Sequence, residues 1–84
     1  MSSENRQPDE KLVGKISKNA KEEFRVLITS YHGHRFVDLR LFVVNADGSW
    51  VPTKKGVGIR ADLLGKVGEA LKQAQEAARA EGLI

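Results

Sequence analysis

The sequence predicts an α+β protein: a four-stranded antiparallel β-sheet followed by one C-terminal α-helix, assembled as a homodimer. Three observations predict it. Between Phe24 and Lys55 strand-like runs are separated by two turn signals, His32-Gly33 and Asn45-Ala46-Asp47-Gly48-Ser49. After Ala61 the apolar spacing changes to three and four, through Leu64, Val67, Leu71, Ala74 and Ala78. The chain has 84 residues and no cysteine, so a single small core has no disulfide to support it. A second copy is then the readiest source of further burial.

Residues 1–11 are polar, contain Pro8 and lack periodicity, which predicts a disordered tail. Residues 12–84 form the expected domain, with the sheet in 12–59 and the helix over 61–80. Leu12 to Ser17 reads as a short first strand with Val13 and Ile16 turned inward, where Gly14 either weakens the strand or marks a bulge. Lys18 to Glu22 is a polar connector. Glu23 to Tyr31 is the second strand, closed by a tight His32-Gly33 turn. Arg35 to Asn45 is the third, and Asp47-Gly48 is the strongest turn dipeptide of the chain. Trp50 opens the fourth strand, whose register the loop length leaves open. Pro52 cannot donate to a ladder, so this strand is an edge or irregular. Gly56 and Gly58 permit a bend or a close approach of another group. In the helix, Asp62 complements the dipole at the start and Gly82 is a stop signal. Leu64, Val67, Leu71 and Ala74 form the stripe expected at the dimer interface.

The first hairpin has two chemically different faces. With His32-Gly33 as a two-residue turn, Tyr31 opposes His34 and side chains alternate from there. A first face carries Phe24, Val26, Ile28, Val37, Leu39, Leu41 and Val43, and reads as core. A second face carries Arg25, Leu27, Thr29, Tyr31, His34, Phe36, Asp38, Arg40 and Phe42. Cations interleaved with flat rings suit a single-stranded nucleic acid, which offers phosphates and unstacked bases. The plainer alternative is a solvated face, since arginines are common on exposed sheets and Tyr, Phe and Thr favour strands.

Charge follows the sheet. Residues 23–60 hold six basic and three acidic side chains, whereas residues 61–84 hold three and four. A polyanion is therefore drawn to the sheet and not to the helix. No segment approaches the roughly 18 apolar residues of a membrane span, and the N-terminus lacks a signal-peptide run. These features place the protein in the cytoplasm, with the nucleoid, if bacterial, or in the nucleus if eukaryotic. His32 and His34 point to different sides without a carboxylate cluster, so no metal is expected. No spacing supports a catalytic triad, and no phosphate loop surrounds Gly56 and Gly58. The chain reads as a non-enzyme without a cofactor.

Several motifs carry a family resemblance: Arg25-Val26, Tyr31-His32-Gly33-His34, Val37-Asp38-Leu39-Arg40, Asp47-Gly48, Pro52-Thr53-Lys54-Lys55-Gly56-Val57, and the single closing helix. In order and spacing they resemble the single-stranded-DNA-binding domain of the transcriptional coactivator positive cofactor four, over about residues 12 to 75. The resemblance implies a β-β-β-β-α homodimer with helices at the interface. It also implies grooves for single-stranded or unwound DNA, bound without catalysis and with little sequence preference. Transcription, replication or repair is the implied setting, with proteins of those machineries as further partners and RNA as an alternative ligand. By position, the stacking aromatic falls on Tyr31, the basic residue after the turn on His34, the strand arginine on Arg40 and the basic loop pair on Lys54 and Lys55. Lys15 is similar to a basic position of the first strand.

This sequence departs from the family pattern at Thr29, Val43 and Val51, where the family has basic, tryptophan and basic residues. Phe36, Phe42 and Trp50 then become the candidates for additional stacking, with Arg25 a further cation on the same face. Arg60 stands where the helix usually has a polar cap, and the acidic serine-rich region of eukaryotic members is missing. The rival function is a dimeric module whose arginine-aromatic face docks an acidic peptide of the transcription machinery.

Overall fold

The computed structural model describes residues 9–84. The strands are β1 Lys11–Asn19, β2 Glu22–Tyr31, β3 His34–Val44 and β4 Trp50–Arg60. A single 3-10 turn, Ala61–Leu63, leads into α1, Leu64–Ala80. The strands form one antiparallel sheet in the order β1-β2-β3-β4. The predicted sheet and helix are thus present in the predicted sequence.

The turns explain the register. His32 and Gly33 both have positive φ, 51° and 81°. That is the pattern of a two-residue turn whose twist matches the strands it joins, and Tyr31 pairs with His34. The β3–β4 loop is longer. Asn45 N–H donates to Ser49 O at 2.7 Å, so Asn45 opens the loop instead of ending β3. Within it the Asp47 carboxylate accepts from Ser49 N–H at 2.9 Å and Ser49 Oγ at 2.7 Å. These bonds hold the Asp47 carboxyl below the ordinary aspartate value, the Ser49 hydroxyl contributing most.

β1 is longer than its sequence suggests. The expected connector from Lys18 shrinks to Ala20 and Lys21, because Asn19 caps the turn through Lys21 N–H and Glu22. Gly14 marks a bulge, as the register shifts between Leu12 and Gly14. Val13 and Ile16, expected inward, are instead 57% and 55% exposed in the single chain. Val13 falls in the bulge of an edge strand, and Ile16 opposes Phe24 on the first face. The expected polar tail lies outside the described residues up to residue 8. Asp9 bonds Ser30 and Arg35, and Lys11 already belongs to β1.

The core is not where the alternation suggests. Val37 and Leu41 of the first face are buried, but so are Leu27, Thr29, Asp38 and Phe42 of the second, with Phe42 at 0% exposure. Arg25 and Arg40 lie flat over their neighbours on that face, with their heads paired to Glu23 and Asp38. The first face is only half-buried at Phe24, Val26, Ile28 and Leu39.

α1 ends in a Schellman arrangement. Leu83 N–H reaches Ala78 O at 2.9 Å and Gly82 N–H reaches Arg79 O at 3.1 Å, with Gly82 at φ 77°. None of the residues of α1 is buried in the single chain. No helix among the described residues is long and apolar enough to cross a membrane.

Candidate nucleic-acid interface

Residues opposite one another across a ladder project to the same face. The observed pairings therefore sort the second face into rows that run across the strands. Tyr31 and His34 form the end row at the hairpin. Thr29, Phe36 and Arg60 come next, then Leu12, Leu27, Asp38 and Gly58. Lys15, Arg25, Arg40 and Gly56 make a row through all four strands. Beyond it lie Ser17, Glu23, Phe42 and Pro52, and finally Val44 with Trp50. Along β3 the face extends roughly 34 Å, at about 3.4 Å per residue. Aromatics thus stand at both ends of the face, on either side of a row of cations.

Three like charges side by side destabilise a sheet unless something offsets them. Two carboxylates do so. Arg25 Nε sits 2.6 Å from Glu23 Oε2, both largely buried. Arg40 donates from Nε to Asp38 Oδ2 at 2.9 Å and from Nη2 to Asp38 Oδ1 at 3.1 Å. The Asp38 bonds raise the Arg40 pKa further above its already high value. Each pair is two residues apart on one strand, hence on one face.

Those arginines cover the apolar part of the face. The Arg25 guanidinium lies 4.4 Å from the Phe42 ring centroid in a cation–π contact. Phe42, a candidate for stacking, is fully buried and has no ring face to offer a base. The two glycines of β4 are close-approach positions and not a bend. A Cβ at Gly56 would lie 2.7 Å from Arg40 Cζ, and one at Gly58 would lie 3.1 Å from the Phe36 ring.

The lysines are differently placed. Between Arg40↔Gly56 and Phe42↔Pro52 the register shifts, so Thr53, Lys54 and Lys55 stand opposite Leu41 alone. This bulge exposes Lys54 and Lys55. Lys15 is exposed as well, on edge strand β1. Among the described residues Lys15, Lys54 and Lys55 make no ion pair within 4.0 Å.

At the hairpin end Tyr31 is 66% exposed, its ring set edge-on to His32 with centroids 4.1 Å apart. An open recess of about 580 Å³ lies beside it, lined by Tyr31, His34, Phe36, Gly58, Arg60 and Asp62 among others. Arg60, which the sequence offers only as a missing cap, enters this recess paired with Asp62 at 2.7 Å. That pairing holds the exposed Asp62 carboxyl below its ordinary value. Trp50 is half-buried at the opposite end. The candidates therefore separate into an exposed set, Lys15, Tyr31, His34, Lys54 and Lys55, and a covered set, Arg25, Phe36, Arg40, Phe42 and Trp50. Sequence reasoning misses the pairing of both arginines, although Glu23-Phe24-Arg25 and Asp38-Leu39-Arg40 each signal it by a spacing of two. No cluster of three metal-ligating side chains occurs among the described residues.

Comparison with known proteins finds relatives of the same family and fold. Residues 18–70 match the family model of transcriptional coactivator p15 (PC4). The chain is similar to BPSL1147, a PC4 homolog from Burkholderia pseudomallei K96243. In its orthorhombic crystal form the identity is 38% over 82% of this chain and 93% of that one, with a TM-score of 0.75. In the tetragonal form the identity is 39%, the coverage 80% and 98%, and the TM-score 0.74. The bacteriophage T5 homolog of PC4, implicated in recombination-dependent DNA replication, shares the fold. It is 18% identical, with 87% and 82% coverage and a TM-score of 0.60. A search among curated proteins finds no match.

Proposed function

We propose that this chain, which belongs to the transcriptional coactivator p15 (PC4) family, binds single-stranded DNA as a homodimer, without catalysis and with little sequence preference. The observation that carries the proposal is that exposed Lys15 shares the second face with exposed Tyr31, while the β4 bulge beside Arg40 exposes Lys54 and Lys55. Exposed lysines with no ion pair within 4.0 Å among the described residues can hold phosphates, and an open ring stacks on an unpaired base of any identity. His34 adds a donor beside Tyr31, and Phe36 backs the recess behind them. Arg25 supports the face by covering Phe42. Trp50 is the aromatic at the far end of the ligand's path.

Dimerisation is supported by apolar surface left open in the single chain. Leu64 and Leu71 of the helix stripe are 41% and 60% exposed. The first face of the sheet is likewise only partly covered, with Ile16 and Val57 open. Two copies meeting through Leu64, Val67, Leu71 and Ala74 would bury this surface and leave both second faces free. DNA transactions in transcription or replication are the setting this activity fits.

Fluorescence anisotropy with matched single-stranded DNA, single-stranded RNA and duplex DNA tests the proposal. Single-stranded DNA is expected to bind best, with log affinity falling linearly against log salt. Equal weak binding to all three would reduce the face to a general basic surface. No oligonucleotide binding at all would favour a peptide-docking face.

A further inference from the structure

The lysine-bearing bulge of β4 is not held by its own ladder. Three residues, Thr53 to Lys55, stand against Leu41, so regular strand pairing is interrupted there. Side chains replace it. Thr53 Oγ1 donates to Leu41 O at 2.8 Å and accepts from Lys55 N–H at 3.1 Å. Arg40 Nη1 donates to Thr53 O at 2.9 Å. The same guanidinium is gripped from the other side by both oxygens of Asp38, which is buried. Beneath it the glycine at 56 leaves room that a Cβ would fill. Arg40 is thus fixed by a carboxylate, a backbone carbonyl and the β4 backbone at once.

We propose that Arg40 is a positioning residue: it spends its charge on Asp38 and its reach on Thr53, and so sets the bulge that presents Lys54 and Lys55 to the DNA backbone. The inference rests on the single-strand-binding proposal for its functional consequence. Asp38, Thr53 and Gly56 belong to the same device, Asp38 by orienting the guanidinium and Gly56 by admitting it. The phosphate contacts themselves belong to the two lysines. This differs from a direct role, in which an arginine at the centre of a cation row holds a phosphate.

The two roles predict opposite signs for Asp38→Asn. A guanidinium that contacts phosphate would be released by this change, and binding would tighten. A guanidinium that positions the bulge would lose its orientation, and binding would weaken. The experiment is a salt titration of an oligothymidylate by anisotropy, with far-UV circular dichroism to confirm that each variant is folded. Asp38→Asn, and Arg40→Lys with its charge retained, are each expected to flatten the log-log slope toward that of Lys54→Ala/Lys55→Ala. That double variant loses about 1.4 units, at about 0.7 per contact on a single strand. Added to the double-lysine background, neither change is expected to alter the slope further. Tighter binding by Asp38→Asn, a wild-type slope for Arg40→Lys, or additive slope losses would overturn the proposal.

A second measurement needs no DNA. Amide exchange at Lys55, whose N–H is bonded to Thr53 Oγ1, should accelerate about tenfold in Arg40→Lys and in Gly56→Ala. Unchanged exchange at Lys55 would overturn the positioning role even if the wild type bound no oligonucleotide. Failure of the wild type to bind, with Lys55 exchange accelerated in the variants, would instead overturn only the binding proposal.

Discussion

The two faces of the sheet differ in how far one chain completes them. On the second face every large apolar group of the β2–β3 centre is covered by that chain's own side chains. Arg25 lies on Phe42, and Arg40 lies over Gly56 beside Asp38. On the first face and along α1, Ile16, Val57, Leu64 and Leu71 remain open. The apolar-looking face is the less finished one, and the charged face holds the most buried ring. Arginine is suited to that work, because a flat, weakly hydrated head can both cover a ring and fork onto a carboxylate. Lysine is not, and the exposed lysines stand at the rim.

The largest effect that can break this comparison comes from Phe42→Ala. Deleting a fully buried ring should cost about 3–5 kcal/mol, read from the denaturant midpoint. A cost below about 1 kcal/mol would mean that the second face holds no core of its own. Next is Leu71→Asp, which places a charge in the proposed interface. It should cost several kcal/mol and convert a dimer to a monomer or an unfolded chain in sedimentation. A wild type that stays a folded monomer at micromolar concentration would show that the first face is complete as it stands.

Tyr31→Ala sharpens the comparison within the second face. Loss of one stacking platform should weaken oligonucleotide binding by about 1–3 kcal/mol while the salt slope is kept. A flattened slope would assign Tyr31 to backbone contact. The smallest effect concerns the loop. The Asp47 carboxyl is held low by Ser49, so its stabilisation is present above the unfolded-chain value and is lost as pH falls through the folded one. The wild type should therefore exceed Asp47→Asn in thermal stability near neutrality, and the gap should close on acidification. A gap that persists in strong acid would show that the bonds to Ser49 do not depend on the charge.

The fold was legible because local signals agreed. His32-Gly33 signals the β2–β3 hairpin, Gly14 allows the bulge of β1 and Pro52 marks an edge strand. The spacing after Ala61 announced the helix, although its first turn is 3-10. Burial was harder to foresee. Alternation assigns residues to faces but does not say which face long polar side chains will cover. Alternation alone therefore makes Phe42 a candidate for stacking, although it is fully buried. The site was partly legible for the same reason. Tyr31, Lys54 and Lys55 are exposed as a binding role requires, but the fate of Arg40 depends on Thr53 and Gly56 across a register shift. The loop before Trp50 left that shift undetermined in the sequence.

The strand order has a kinetic consequence. Among the described residues each strand pairs with its neighbours along the chain, and β2 and β3 are joined by a turn of two residues. The entropy lost in closing each loop is accordingly small. The central hairpin can form in about 1–10 μs, with β1 and β4 adding to its two sides. No distant segment must be found first, which keeps the barrier low for a β-rich chain. For a homodimer the meeting of two chains is then the slow event. Refolding should split into an early phase indifferent to protein concentration and a later one that quickens as concentration rises.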